Sequence, residues 1–303
     1  MIEPILRAEN LTKSYDTGGT SLTVLNRVSF ELEGGTTCAI VGPSGSGKTT
    51  LLGLCAGLDR ASSGKVWLKK NPLHNMEEED LVRIRNRHIG FVFQSFQLIP
   101  TLTALENVMV PVELRGVRYD KVAVRARQLL DEVGLTDRRH HYPNQLSGGE
   151  QQRVAIARAF IHEPDILFAD EPTGNLDAET GAQIQDILFG LNRKLGTTLV
   201  IVTHNLELAE MCGRTIRLKG GVIASDSGGG SDTGSPAGRT TDSVAGSAAD
   251  SSTGSDAGGA VSAAGSATDS GVVSSTESAS HSGTGSVAES TQTKISAQLT
   301  EKE

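Results

Sequence analysis

Eight consecutive residues, Gly42-Pro43-Ser44-Gly45-Ser46-Gly47-Lys48-Thr49, follow the pattern glycine, four residues, Gly-Lys-Thr. Glycine backbones can wind so that successive N–H groups converge on phosphate oxygens, and a helix starting at the loop's end adds its positive pole. Lys48 supplies a mobile point charge. The Thr49 hydroxyl suits Mg²⁺, which takes oxygen ligands and binds beside phosphates. The chemistry is capture of MgATP, with Gly42, Pro43, Ser44, Gly45, Ser46, Gly47, Lys48, Thr49 and Thr50 as the expected contacts. A merely flexible Gly-Ser loop would not need a strand before it, a helix after it and Lys-Thr between.

Adjacent carboxylates, Asp170 and Glu171, follow the apolar run Ile166-Leu167-Phe168-Ala169. Phosphoryl transfer asks for positioning and charge stabilisation more than for covalent chemistry. Asp170 is therefore expected in the shell of the metal and Glu171 beside the attacking water. His204 closes the apolar stretch Thr198-Leu199-Val200-Ile201-Val202-Thr203 and could orient that water or meet the terminal phosphate. Gln94 follows another strand-like run at 89–93, where its amide oxygen could reach Mg²⁺ or water. Taken singly, an Asp-Glu pair reads as solvated surface and a histidine as structural; their shared place at strand ends favours catalysis. Tyr15, ahead of Gly18-Gly19, could stack on adenine, although a tyrosine is equally ordinary in a core or on a surface.

Leu146-Ser147-Gly148-Gly149-Glu150-Gln151-Gln152-Arg153 opens a second helix with a hydroxyl and two glycines. Ser147, Gly148 and Gly149 offer donors where the helix dipole is positive, which duplicates the first loop. One triphosphate can be gripped by both only if they face each other, and the economical geometry is two chains packed head to tail.

These groups need elements to hold them. Residues 1–36 alternate apolar and polar as antiparallel strands do, with a break at Asp16-Thr17-Gly18-Gly19. Thr37-Cys38-Ala39-Ile40-Val41 is a short buried strand running into the glycine loop, and residues 49–58 have helical spacing. A charged surface helix is expected over 76–87 and an amphipathic one over 121–133. In open parallel α/β sheets ligands collect at the carboxyl ends of strands, so the glycine loop, Asp170-Glu171 and His204 should share one crevice.

Composition divides the chain at about residue 224. Residues 225–303 lack any aromatic and hold ten acidic against three basic residues, leaving 26 acidic and 25 basic in the rest. That Ser/Gly/Ala/Thr/Asp stretch has too little apolar content to offset the entropy of ordering it, and a disordered tether is expected. The near-neutral remainder lacks the basic footprint of a nucleic-acid binder. Three cysteines, Cys38, Cys55 and Cys212, suggest neither a disulfide framework nor a zinc site. No apolar run approaches the roughly 20 residues needed to span a bilayer, nor does the start resemble a signal peptide. The expected location is cytoplasmic, with any membrane work done through a partner.

The motifs together resemble the ABC ATPase family over about residues 3–223, each occurring once and in family order. The resemblance implies an α/β P-loop NTPase at residues 1–224, with an antiparallel β-subdomain, a helical subdomain at about 95–160 and the disordered tail following. It implies a Walker A loop at 42–49, a Q-loop at Gln94 and a Walker B strand ending at Asp170. Glu171 would be the catalytic base, Asn175-Leu176-Asp177 the D-loop with Asp177 at the nucleotide, His204 the switch histidine and Tyr15 the adenine-stacking aromatic. The stretch Asp170-Glu171-Pro172-Thr173-Gly174-Asn175-Leu176-Asp177 is similar to the LolD/MacB group. That likeness implies ATP and Mg²⁺ as ligands, with a second copy or similar ATPase chain and an integral membrane permease as partners. The chain would be peripheral on the inner membrane, driving lipoprotein export or mechanotransmission. Two other readings stay open: an ABC ATPase that regulates cell division without transport, and a nucleotide-binding scaffold without turnover.

Overall fold

The computed structural model describes residues 3–228. In chain order the elements are β1 (Leu6–Thr17), β2 (Thr20–Leu32), β3 (Thr37–Val41), α1 (Lys48–Cys55), β4 (Ser63–Leu68), β5 (Asn71–Pro72), α2 (Glu78–His88) and β6 (Ile89–Val92). They continue with α3 (Ala104–Glu113), α4 (Tyr119–Glu132), α5 (Gly148–Phe160), β7 (Ile166–Asp170), α6 (Ala178–Leu195), β8 (Thr198–Thr203), α7 (Leu206–Glu210), β9 (Arg214–Lys219) and β10 (Val222–Asp226).

Strand alternation builds the layers. In β7, Ile166 and Phe168 point into one hydrophobic cluster, with Leu51, Leu54 and the antiparallel strands. Leu167 and Ala169 point into the other, with Val108, Leu129, Val154 and Ile184 of the helices. β8 repeats the division: Val200 and Val202 face the first cluster, Leu199 and Ile201 the second. Both faces of these strands are buried, which is why they read as continuous apolar runs and not as alternating ones.

The central sheet has the order β10-β9-β3-β8-β7-β6. All its neighbours pair parallel except β9 with the edge strand β10. β2-β1-β4-β5 form a separate antiparallel sheet, as the alternation over residues 1–36 predicts for its first two strands. Helices α3, α4 and α5 cover the opposite face between residues 104 and 160. This is the mixed α/β architecture expected from the sequence, with its β-subdomain and its helical part.

Helix α3 runs through Pro111, which has no N–H to donate to the Asn107 carbonyl one turn earlier. A Thr103–Glu106 capping box starts it: Glu106 N donates to Thr103 Oγ1 at 3.3 Å and Thr103 N to Glu106 Oε2 at 2.8 Å. Regular structure continues past the compositional boundary at 224, because β10 reaches Asp226. There both carboxylate oxygens accept from Arg214, at 2.8 and 2.6 Å. Polar residues suit an edge strand, so composition alone does not mark where this one stops. Of the tail expected to be disordered from 225, residues 225–228 are therefore ordered, and 229–303 lie outside the described residues.

Candidate functional site

Parallel strands β3, β7 and β8 lie side by side, so the loops leaving their carboxyl ends open at one sheet edge. From β3 the chain enters the 42–49 loop. Gly45 and Gly47 take φ of 75° and 93°, in the left-handed region glycine tolerates. A Cβ on Gly47 would stand 2.7 Å from Leu25 Cδ2 and 2.9 Å from the Val24 carbonyl, so β2 closes in on the loop's last turn. Gly47 is the N-cap of α1 and contributes no side-chain acceptor, and no acidic residue occupies the helix's first turn. α5 and α6, by contrast, are each capped by a side-chain oxygen. The backbone donors at the start of α1 thus remain available to an anion. Lys48 folds back, its Nζ donating to the carbonyls of Gly42 at 3.0 Å and Pro43 at 3.1 Å. Pro43 and Ser44 are exposed and Thr50 is half-buried on the helix. Ser46 is buried, its hydroxyl lacking a partner, as a donor turned into a loop that awaits a ligand would be.

Thr49 Oγ1 donates to Asp170 Oδ1 at 3.2 Å, joining the loop to the end of β7. Burial pushes the Asp170 carboxyl above its usual value, the Thr49 bond opposes the rise and the adjacent Glu171 adds to it. The two oxygens fit a hard cation such as Mg²⁺. Among the described residues no cluster of three or more His, Cys, Asp or Glu could hold a metal unaided. A cation at Thr49 and Asp170 therefore needs further oxygens from a bound phosphate, which is the habit of Mg²⁺.

Glu171 departs from the strand with φ of 46°, left-handed for a residue that has a Cβ. Such a conformation costs about 1–2 kcal/mol and persists only where neighbours enforce it. The enforcing bonds are visible: Glu171 N donates to the Val202 carbonyl at 2.8 Å and its own carbonyl accepts from Gly174 N at 3.0 Å. Its side chain points to the end of β8. Thr203 Oγ1 donates to Oε2 at 3.2 Å, and His204 Nδ1 lies 2.9 Å from Oε1. Gln94 Nε2 donates to Asn175 Oδ1 at 3.2 Å while Asn175 Nδ2 donates to the Gln94 carbonyl at 2.9 Å. The structure thereby brings the 42–49 loop, Asp170, Glu171 and His204 to one edge, and ties Gln94 to the loop after Glu171. Thr203 and Asn175 were missed as side-chain partners; both stand beside predicted site residues, but their bonds cross between strands.

Tyr15 and Ser147-Gly148-Gly149 have partners of their own. Tyr15, near the end of β1, donates its hydroxyl to Asp59 Oδ2 at 3.2 Å, and Lys13 Nζ sits 4.9 Å from the ring centroid. Ser147-Gly148-Gly149 is turned onto the start of α6: a Cβ on Gly149 would meet Thr180 Cγ2 at 2.4 Å. Ser147 and Glu150 form a capping box, with Ser147 N donating to Glu150 Oε2 at 2.8 Å and Glu150 N to Ser147 Oγ at 3.2 Å. Those two backbone donors are therefore engaged, and the groups left for an anion narrow to Gly148, Gly149 and the serine hydroxyl. The Ser147 N–H also holds the Glu150 carboxyl below the usual range. Asp177 caps α6, accepting from Thr180 N at 3.0 Å, and that bond lowers its pKa. A cavity of about 870 Å³ lies at the opposite sheet edge among Gly34, Gly35, Lys69, Asp165 and Thr198. It has no glycine loop or uncapped helix start, so donor geometry and not volume locates the nucleotide site.

Comparison with known proteins agrees with this geometry. Residues 25–174 match the model of the family described as ABC transporter. The chain is 55% identical to the ABC transporter ATP-binding protein YbbA of Escherichia coli K12 over 73% of its length and 97% of that protein. It is 48% identical to the lipoprotein-releasing system ATP-binding protein LolD of Geobacter metallireducens, over 73% of this chain and 99% of that one. Among solved structures, the dimeric post-hydrolysis state of the ATP-binding cassette MJ0796 bound to ADP and Pi superposes with a TM-score of 0.69 at 40% identity. It covers 73% of this chain and 97% of that one.

Proposed function

This chain belongs to the ABC transporter ATP-binding proteins, an ATPase family, and from that premise we propose that two copies close head to tail on two MgATP to drive a membrane permease. The observation that carries the proposal is the placement of the two helix starts within one chain. The start of α1 is open to an anion, whereas Ser147-Gly148-Gly149 lies against the start of its own α6; in this reading it serves the neighbour's nucleotide.

In this reading Lys48 and the 42–49 backbone hold the phosphates, Thr49 and Asp170 hold Mg²⁺, and Gln94 approaches it from the β6 side. Bound Mg²⁺ would supply charge neutralisation for the transferred phosphoryl group. Glu171, aimed by Thr203 and His204, accepts hydrogen bonding from the attacking water. Tyr15 meets the adenine, and Asp177 lies at the seam between the chains. The permease would be of the LolD/MacB type, since relatives of this similarity include the lipoprotein-releasing LolD proteins. Export of lipoproteins, or force transmitted across the membrane, is then the work performed. Among the described residues no helix is long and apolar enough to cross a membrane, so attachment on the cytoplasmic side would run through that permease. The domain that ends with β10 is the working part in this reading, and the chain after it a tether.

Isolation of the full chain from membranes in mild detergent tests the proposal. A stoichiometric permease and ATP-driven pairing of a Glu171→Gln variant are expected. A monomer at saturating MgATP, or no co-purifying membrane protein, overturns it.

A further inference from the structure

A buried amide links the two halves of the machinery within each chain. Gln152 sits in the second turn of α5, fully buried. Its Nε2 donates to the Pro172 carbonyl at 2.6 Å, and its Oε1 is buried without a partner. An amide in an apolar helix face is costly unless a particular bond needs it there. Pro172 has no N–H, so its carbonyl is the only backbone group through which that residue can be hydrogen-bonded.

Pro172 follows Glu171 directly. On the Glu171 side the backbone is fixed by the Val202 and Gly174 bonds, and Leu176 N donates to the Thr173 carbonyl at 3.1 Å. Gln152 therefore fixes the peptide between the carboxylate and the turn that leads to Asn175 and Asp177. One turn earlier on α5, Gly149 approaches Thr180 so closely that a Cβ there would stand 2.4 Å from its Cγ2. Ser147-Gly148-Gly149 and Gln152 thus share the first two turns of one helix, and the Gln152–Pro172 bond connects that helix to the residue after Glu171.

We infer that Gln152 is a positioning residue that couples the two ATP sites of the paired chains: engagement of one chain's 147–149 loop with its partner's nucleotide is passed through the Gln152–Pro172 bond to that chain's own Glu171. The inference rests on the head-to-tail reading above. It makes each site's water-activating group responsive to the other site's occupancy, so hydrolysis should be cooperative in ATP.

The test replaces Gln152 with Met, equal in length but without the amide, in the full chain. Phosphate release is followed against ATP concentration, and pairing is followed by sedimentation in the Glu171→Gln background. The expected result is turnover lower by on the order of 10- to 100-fold, as a misplaced catalytic group gives, with the Hill coefficient dropping towards unity and ATP-driven pairing retained. Gln152→Asn keeps an amide one carbon short of the carbonyl and should give the same split in milder form if the Met variant fails to fold. Wild-type turnover, or slow turnover with cooperativity intact, overturns the coupling role. Failure of the Glu171→Gln chain itself to pair on ATP overturns the head-to-tail reading instead, and the coupling with it.

Discussion

His204 Nδ1 lies 2.9 Å from Glu171 Oε1, with the histidine largely exposed and the carboxylate largely covered. The imidazole thus has one nitrogen committed to the carboxylate and the rest of its ring facing the open sheet edge. If it acts through Glu171, its removal should matter only while that carboxylate is present. Glu171→Gln should slow phosphate release by about 10²- to 10⁴-fold, the span of general-base effects. Adding His204→Ala to that variant should then lower it little further, although the single His204→Ala change slows the wild-type chain. Additive losses in a double-mutant cycle would separate the two residues.

Asp170 carries a pH signature. Burial is the chief cause that raises its pKa above the ordinary aspartate value of 3.8, so the folded chain holds that proton more tightly than the unfolded one. The ionised carboxylate is then a cost to the nucleotide-free fold: absent below 3.8, growing as pH rises through the raised value, and complete above it. Asp170→Asn should raise the Tm of the nucleotide-free chain at neutral pH, by an amount that shrinks on acidification. MgATP should stabilise wild type more than the variant. Scans at two pH values, with and without MgATP, check this, and a lower nucleotide-free Tm for Asp170→Asn contradicts it.

Lys48 bonds carbonyls of its own loop, which keeps the ammonium in place before a phosphate arrives. A bound phosphate would replace those carbonyls with charge-assisted bonds, worth about 1.5–3 kcal/mol, which truncation removes. Lys48→Ala should therefore weaken ATP binding by roughly 10- to 150-fold, measured by titration calorimetry. Unaltered affinity would remove Lys48 from the site.

Contact between Gly149 and Thr180 predicts a rescue. Gly149→Ala puts a methyl 2.4 Å from Thr180 Cγ2, and forcing α5 off α6 should cost about 1–3 kcal/mol. Turnover should fall while ATP affinity of the single chain holds. Thr180→Ser deletes the offending methyl and should restore both stability and turnover in the double variant. An unrescued double variant would mean that Gly149 is needed for something other than close packing.

What could be read from the sequence was local. The glycine loop, the apolar strands and their polar ends lie within a few residues of one another, and their shared crevice follows from parallel pairing. The α3 start also left a readable signal, Thr103-x-x-Glu106, which is a capping box ahead of an apolar run. Other features have no local sign. The bonds of Thr203 to Glu171 and Asn175 to Gln94 depend on which strands become neighbours. Gln152 gives half a clue: it lies three residues after Gly149 and four before Ile156, all on the buried side, so its polarity is out of place. Its partner Pro172 could not be named without the fold.

Regular structure outlasts the compositional change near residue 224. Composition changes at residue 224, but Asp226 pairs with Arg214 through two bonds, and Ser227 N donates to the Thr215 carbonyl at 3.0 Å. A chain cut after Ala224 leaves the mostly covered Arg214 guanidinium without its carboxylate. Bonds to charged groups contribute about 1.5–3 kcal/mol, so this truncation should lower stability by that order in urea titration. A cut after Gly228 keeps both contacts and should match the full chain in stability and in phosphate release. Equal stability of the two truncated chains would show that the edge strand is dispensable, and loss of turnover on cutting after Gly228 would give residues 229–303 a part in hydrolysis.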